Sequence, residues 1–281
     1  MMLLIDAGNT RVKWALAAPD APLGTWLAQG AVMHADIAEL QTAWEAALAA
    51  AGVSAQAIKR VLIANVAGNA LRVQLEYVLQ KTLGDTGMLA APPNPAHREP
   101  GSDPVRGPTP SVTGLEWFAS LPALAGLTNG YRNPTQLGCD RFAAAIAGHQ
   151  LAPGRAIIVA NCGTATTIDA VTPDGVFLGG MILPGLGLMA SSLARNTAQL
   201  PQIAQDGKLP AGFADNTDDA ILSGCLAAQS GAIEHACLVH GAQECIISGG
   251  AAPYIAPMLK VPYRVVDNLV LIGLHAAAGS A

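Results

Sequence analysis

Short apolar runs broken by glycine-bearing turns recur along the chain. Met2–Ile5 is apolar, Asp6-Ala7-Gly8-Asn9-Thr10 turns, and Arg11–Leu16 runs back. Ile157–Ala160, then Asn161-Cys162-Gly163-Thr164-Ala165-Thr166-Thr167, then Ile168–Val171 repeats that plan. Each stretch predicts a short buried strand, a tight turn with glycine two places after a polar residue, and a returning strand. Gly24–Ala31, around Trp26 and Leu27, predicts a third strand. Asp36 predicts the cap of a helix through Ala51, with Ile37, Leu40, Trp44 and Leu48 at helical spacing and Gly52 as the stop. Arg60–Val66 predicts a buried strand, and Ala70–Leu83 a helix with Leu71, Leu75, Val78 and Leu79 on one face, closed by Gly84. That order opens an α/β domain with a mixed sheet.

The pattern breaks at Pro92–Thr113, where seven prolines fall among glycine and charge. This predicts a surface insertion loop with no chemistry of its own. Order resumes near Leu115, and Tyr131–Gly138 leads irregularly into a third helix, Asp140–Leu151. Pro153-Gly154 then marks a boundary, giving domains 1–152 and 153–281. The second half predicts a strand at Val176–Met181, a helix at Leu188–Ala194, a long helical stretch at Asp218–His240, a strand at Cys245–Ser248 ending in Gly249-Gly250, and a last helix at Leu269–Ala278. The halves read as a duplicated α/β unit, although they align only at the glycine turns.

Composition narrows the classes. Hydrophobic residues make up 51% of the 281 and charged residues 12%, which suits a well-buried globular chain. A formal net charge of −5 offers no general attraction to nucleic acid. No apolar run approaches the roughly 20 residues of a membrane helix, and Asp6 and Lys13 interrupt any secretion signal at once. The 5 cysteines are odd in number and never spaced Cys-x-x-Cys, fitting reduced thiols in the cytoplasm. The 6 histidines show no metal-ligand spacing, with His149 on a helix and His97 in a loop.

Chemistry gathers at the turns. Glycine and threonine bring bare N–H groups and a hydroxyl to one point, which suits phosphate oxygens. One such copy alone reads more readily as a plain β-hairpin; two copies point to a nucleotide site between two related domains. Asp6 at a strand end can hold Mg²⁺, directly or through water. Asn9 and Thr10 can donate to phosphate, and Lys13 can neutralise charge there or stand as a solvated lysine. Gly163 and Thr164 offer the same from the other half, and Ser248-Gly249-Gly250 suits a nucleoside lying against backbone. Asp140, in Leu137-Gly138-Cys139-Asp140-Arg141, is the candidate catalytic carboxylate at a helix start, where it could equally cap the helix. Arg141 beside it offers a donor fork for a carboxylate- or carbonyl-bearing acceptor. Phosphoryl transfer asks for little beyond positioning, charge neutralisation and a carboxylate to take the hydroxyl proton.

Asp6-x-Gly8-Asn9-Thr10-x-x-Lys13, Gly138-x-Asp140-Arg141, Gly163–Thr167 and Ser248-Gly249-Gly250 together resemble the type III pantothenate kinases, nearly end to end outside the proline-rich segment. The resemblance implies an α/β fold of two duplicated ribonuclease H-like domains of the actin/Hsp70-type ATPases, shared with acetate and sugar kinases, with an ATP cleft between them. It implies transfer of the ATP γ-phosphate to pantothenate, the first step of coenzyme A synthesis. By motif it puts Asp6, Ala7, Gly8, Asn9, Thr10, Arg11, Val12, Lys13 and Thr164 at ATP. It puts Tyr131, Gly138, Cys139, Asp140, Arg141 and Thr217 at pantothenate, with Asp140 as proton acceptor. It further implies a homodimer whose substrate site the neighbouring subunit completes, and a requirement for K⁺ or NH₄⁺. Asn161 departs from the family, which has at that position an aspartate that binds the monovalent cation; the amide keeps an oxygen and loses the charge. Two other readings stay open: a kinase of the same fold for another small hydroxyl compound, and a non-enzymatic nucleotide-binding accessory protein, against which Asp140 with Arg141 speaks.

Overall fold

The computed structural model describes residues 1–84, 114–194, 209–210 and 212–280. The expected proline-rich loop at 92–113 lies outside the described residues, as does His97. The sequence runs β1 (Met2–Ala7), β2 (Arg11–Ala17), β3 (Ala28–Met33), α1 (Glu39–Ala50), β4 (Arg60–Asn65), α2 (Asn69–Leu83) and β5 (Gly114–Trp117). These strands form one sheet in the order β3-β2-β1-β4-β5. β1 pairs antiparallel with β2 and β2 with β3, whereas β4 lies parallel to β1 and β5 to β4.

The unbroken apolar run of β1 has a direct cause: its two faces are both covered, so it needs no polar alternation. Leu3, Ile5 and Ala7 join Val12, Trp14, Leu16, Val61 and Ile63 in a core with Leu40, Trp44 and Leu48 of α1 and Leu71, Leu75, Val78 and Leu79 of α2. Leu4, on the opposite face, is just as fully buried. α1 ends as expected at Gly52, whose φ of +64° only glycine adopts freely. There the Gly52 N–H donates to the Ala49 carbonyl and the Val53 N–H to that of Leu48, which satisfies the last carbonyls of the helix.

The start of α1 differs from the expectation. Asp36 closes a 3₁₀ turn, His34–Asp36, and the helix begins three residues later with Ala38 as a cap that has no side-chain hydrogen bond. Ile37, buried outside the helix, takes the chain into the core before helical geometry begins. The third strand also begins later than expected, at Ala28, and Trp26 ahead of it packs tilted against His275 with ring centroids 5.4 Å apart.

The second half continues with β6 (Ala123–Leu124), β7 (Leu127–Asn129), α3 (Cys139–Leu151), β8 (Ile157–Cys162), β9 (Ala165–Val171), β10 (Val176–Pro184) and α4 (Leu186–Ala194). It ends with α5 (Thr217–His240), β11 (Glu244–Ser248), α6 (Ala252–Ile255), β12 (Tyr263–Val265) and α7 (Leu269–Gly279). Its sheet is ordered β12-β11-β8-β9-β10-β7-β6. The five strands from β10 to β12 reproduce the first sheet, with β8 in the place of β1, three strands antiparallel and the next two parallel. Duplication, legible in the sequence only at the turns, is thus explicit in the topology.

By internal packing, Met1–Ala119 with Leu274–Ala281 forms one unit and Ser120–Gly273 the other. The expected boundary after residue 152 falls inside the second unit, because 120–152 supplies β6, β7 and α3, which belong with the second sheet. Among the described residues, no helix is long and apolar enough to cross a membrane.

Helix α3 carries the candidate base and lies close against β8. Its alanines, Ala143, Ala144, Ala145 and Ala147, are buried. Gly148 completes the contact: a Cβ there would meet Val159 Cγ2 at 2.6 Å and Ile157 Cδ1 at 3.0 Å. Gly148→Val should therefore lower the unfolding free energy by about 1–3 kcal/mol, the usual cost of overpacking. Urea denaturation measures it, and an unchanged midpoint would show that α3 has room to move off the strand.

Candidate active site

In the first unit the β1–β2 turn is closed by the Gly8 N–H donating to the Arg11 carbonyl at 3.1 Å. Asn9, Thr10 and Arg11 stand exposed, and half-buried Asp6 lies directly across the ladder from half-buried Lys13. A carboxylate and an ammonium on one face at a strand end can serve a metal–phosphate group together. Ala7 and Val12 are fully buried in the core, so only their backbone remains for a ligand, and the Ala7 carbonyl already accepts from the Val66 N–H. One participant had no sequence signal: His34 Nε2 hydrogen-bonds the Gly8 carbonyl at 2.7 Å.

In the second unit three glycine turns converge at one end of the sheet. The Gly163 N–H donates to the Ala165 carbonyl at 3.0 Å, leaving Gly163 and Thr164 exposed. Gly185, just after β10, donates its N–H to the Thr164 carbonyl at 2.9 Å. A Cβ there would come 2.6 Å from that carbonyl oxygen and would overlap that of Gly163. Gly249 has φ +99°, and a Cβ on it would lie 2.6 Å from the Cys162 carbonyl carbon. Three backbones meet here because none carries a side chain at the crossing. Asn161 is half-buried at the end of β8, opposite Thr167 on one side and Ser248 on the other. Cys162 is no nucleophile, since burial pushes its thiol up to about 12.

The carboxylate cluster sits at the start of α3. Gly138 is the N-cap without a side-chain bond, and a Cβ on it would press against Asp140 Oδ1 at 2.7 Å. Half-buried Cys139 opens the helix. Asp140 Oδ1 accepts from the Arg141 N–H at 2.8 Å. Burial raises the Asp140 carboxyl above its ordinary value, while that N–H and the Arg141 charge pull the other way. A raised pKa makes the carboxylate a better proton acceptor near neutral pH.

Arg141 departs from its expected role as an open fork. Its Nε donates to both Asp169 oxygens at 3.1 and 3.2 Å, its Nη2 also binds Asp169, and its Nη1 donates to the Tyr131 hydroxyl at 2.9 Å. The guanidinium lies 5.7 Å from the Tyr131 ring and 5.8 Å from that of Phe177. Burial pushes Asp169 up to about 6 despite Arg141, whereas the Asp169 bonds outweigh desolvation and hold Arg141 above its ordinary value. With the guanidinium bonded to both carboxylate oxygens, the pair is charged at pH 7. Asp169 had a faint sequence signal, a lone acid in the apolar returning strand Ile168-Asp169-Ala170-Val171. Thr217 stands exposed at the first turn of α5, on a groove of about 500 Å³ lined also by Met189, Ile221 and Cys225.

A sheet of one topology built twice, each copy opening on a glycine turn suited to phosphate, defines the duplicated ribonuclease H-like fold of actin/Hsp70-type ATPases and related kinases. Structural likeness supports that fold alone. A Baf family protein from Campylobacter jejuni matches with a TM-score of 0.54 at 17% identity, covering 97% of this chain and 94% of the other. Ethanolamine utilization protein EutJ from Carboxydothermus hydrogenoformans also gives 0.54, at 10% identity over 99% and 89%. Sequence is more specific. The profile of the type III pantothenate kinase family matches residues 2–95 and 113–238. A type III pantothenate kinase of Janthinobacterium sp. (strain Marseille) is 52% identical over 99% of this chain and 97% of its own. One from Herminiimonas arsenicoxydans is 50% identical over the same shares. The chain belongs to the type III pantothenate kinase family.

Proposed function

We infer that this chain is an ATP-dependent pantothenate kinase, producing 4′-phosphopantothenate in the first step of coenzyme A synthesis. The observation that carries the reading is Asp140, a carboxylate raised by burial and presented at a helix start, in a chain of this family. In the reaction the acceptor's primary hydroxyl attacks the γ-phosphorus and gives its proton to Asp140. A new P–O bond forms as the bond to the bridging oxygen breaks, and ADP leaves with that electron pair. The exposed turn residues Asn9, Thr10 and Arg11, with Lys13 and Thr164, are the proposed phosphate contacts. Ala7, Gly8 and Val12 complete the proposed nucleotide-binding turn by fixing its backbone. Tyr131, Gly138, Cys139, Arg141 and Thr217 are the proposed pantothenate contacts.

Mg²⁺ suits Asp6, because that ion takes one or two carboxylates and keeps phosphate and water as its other ligands. When bound, it supplies neutralisation of charge on the transferring group. A monovalent cation, K⁺ or NH₄⁺, suits Asn161, a residue with an amide oxygen that stands between the Thr167 and Ser248 positions in the sheet. Five free cysteines, four of them buried, fit the cytoplasm.

Asp140→Asn should leave ATP binding intact and lower turnover roughly 10²–10⁴-fold, the usual contribution of a general base. ADP release with pantothenate measures it; turnover within a few-fold of the parent would sink the assignment.

Asn161 gives a second expectation. One formal charge near the ion is worth roughly 1–4 kcal/mol between water-like and surface-like screening, before the carboxylate's desolvation is subtracted. Asn161→Asp should then lower the half-saturating K⁺. Initial rate and melting temperature are followed against K⁺ at constant ionic strength, and superimposable curves would take Asn161 out of the cation site.

A two-fold homodimer with its acceptor pocket near the interface completes the proposal. It is supported by exposed apolar side chains on β10 (Leu178, Met181, Ile182) and α4 (Leu188, Leu193). Light scattering should give twice the 28.6 kDa of one chain; a fully active monomer would refute the dimer.

A further inference from the structure

Asp169 is the most deeply buried acidic side chain among the described residues, 1% exposed, and its partner Arg141 is 8% exposed. Taking two charges out of water is costly, and an apolar pair of equal volume is often as stable or more so. Fold stability is therefore a weak reason for this pair. Its surroundings are built to admit it. Gly180 faces Asp169 across the β9–β10 ladder. A Cβ on Gly180 would overlap Asp169 Oδ1 and lie 2.8 Å from Arg141 Nη2.

The pair also sits where it can act on the chemistry. Arg141 follows Asp140 directly, and its own backbone N–H holds Asp140 Oδ1 at 2.8 Å. Three nitrogens of the guanidinium are anchored, two to Asp169 and one to the Tyr131 hydroxyl, and the Tyr131 and Phe177 rings flank it. An arginine fixed at its tip has little freedom at its backbone, so the N–H that orients Asp140 is fixed as well. A pair that merely joined α3 to β9 would leave turnover per folded molecule unchanged.

We propose that Asp169 is a positioning residue for phosphoryl transfer: with Tyr131 as second anchor, it clamps Arg141 so that the Arg141 N–H aims the Asp140 carboxylate at the acceptor hydroxyl. The proposal rests on Asp140 as the proton acceptor.

The test is a double-mutant cycle in the full chain. Asp169→Asn, Tyr131→Phe and Asp140→Asn are made singly, and each of the first two is combined with the third. All are assayed for kcat and for KM of ATP after melting curves establish folding. Misplacing a reacting group by about 1 Å costs about 10²-fold, so Asp169→Asn should lower kcat by that order with KM for ATP unchanged. In the Asp140→Asn background the same substitution should cost almost nothing, because residues that act as one unit are non-additive. An equal loss in both backgrounds, or a parental kcat in Asp169→Asn, overturns the proposal. If Asp169→Asn does not fold, Tyr131→Phe decides by the same criterion: a kcat loss that vanishes with Asp140 removed supports the clamp, and an additive loss overturns it. Parental turnover in Asp140→Asn would instead remove the base assignment itself, and this inference with it.

Discussion

The ion pair between Arg141 and Asp169 is the constraint around which the second unit's chemistry is arranged. Burial holds Asp169 near 6 even against a guanidinium bonded to both its oxygens, which records how much hydration the carboxylate has lost. At neutral pH the pair stays charged, and its geometry propagates. Gly180 must remain a glycine, β10 must run close to β9, and α3 must start where Arg141 can reach the strand. Asp140 inherits its position from that start. In the proposed reading a group that takes a proton is held before the reaction begins, through the Arg141 N–H on Asp140 and the anchoring of that arginine on Asp169.

The phosphate-suited turns follow a different logic. They are made of backbone, and their precision comes from missing side chains. Gly185 and Gly249 bring two chain segments onto the Gly163 turn so closely that a single methyl would displace one of them. The first unit achieves its turn with less crowding and a hydrogen bond from His34. Two copies of one topology thus reach similar turns by different contacts, which is why sequence similarity between the halves fades outside the glycines.

Much of this was legible in the sequence where one residue type has one structural use. The glycine turns, the apolar strands feeding them, the helix stop at Gly52 and the helix beginning at Asp140 all follow from local chemistry. What was not legible depends on distant partners. The short strands β5, β6, β7 and β12 are held by neighbours far along the chain and carry little pattern of their own. Asp36 looked like a cap because its residue type favours one, yet burial of Ile37 moved the helix start to Glu39. The boundary expected at Pro153-Gly154 marked a real turn, but 120–152 packs with the second sheet. Arg141 looked like an open fork because Asp169, 28 residues away, could not be paired with it by spacing alone.

In the proposed reading, a nucleotide-binding fold and an oriented carboxylate serve phosphoryl transfer to pantothenate. Sequence membership of the family carries the acceptor's identity, while the geometry around Asp140 carries the reaction type. The most direct measurement is ADP release by the purified protein with Mg·ATP and K⁺, against a panel of small alcohols that includes pantothenate. The account predicts rapid release with pantothenate, little with the other alcohols, and 4′-phosphopantothenate as the product. Release driven by another alcohol in preference to pantothenate, or no release with any of them, would contradict it.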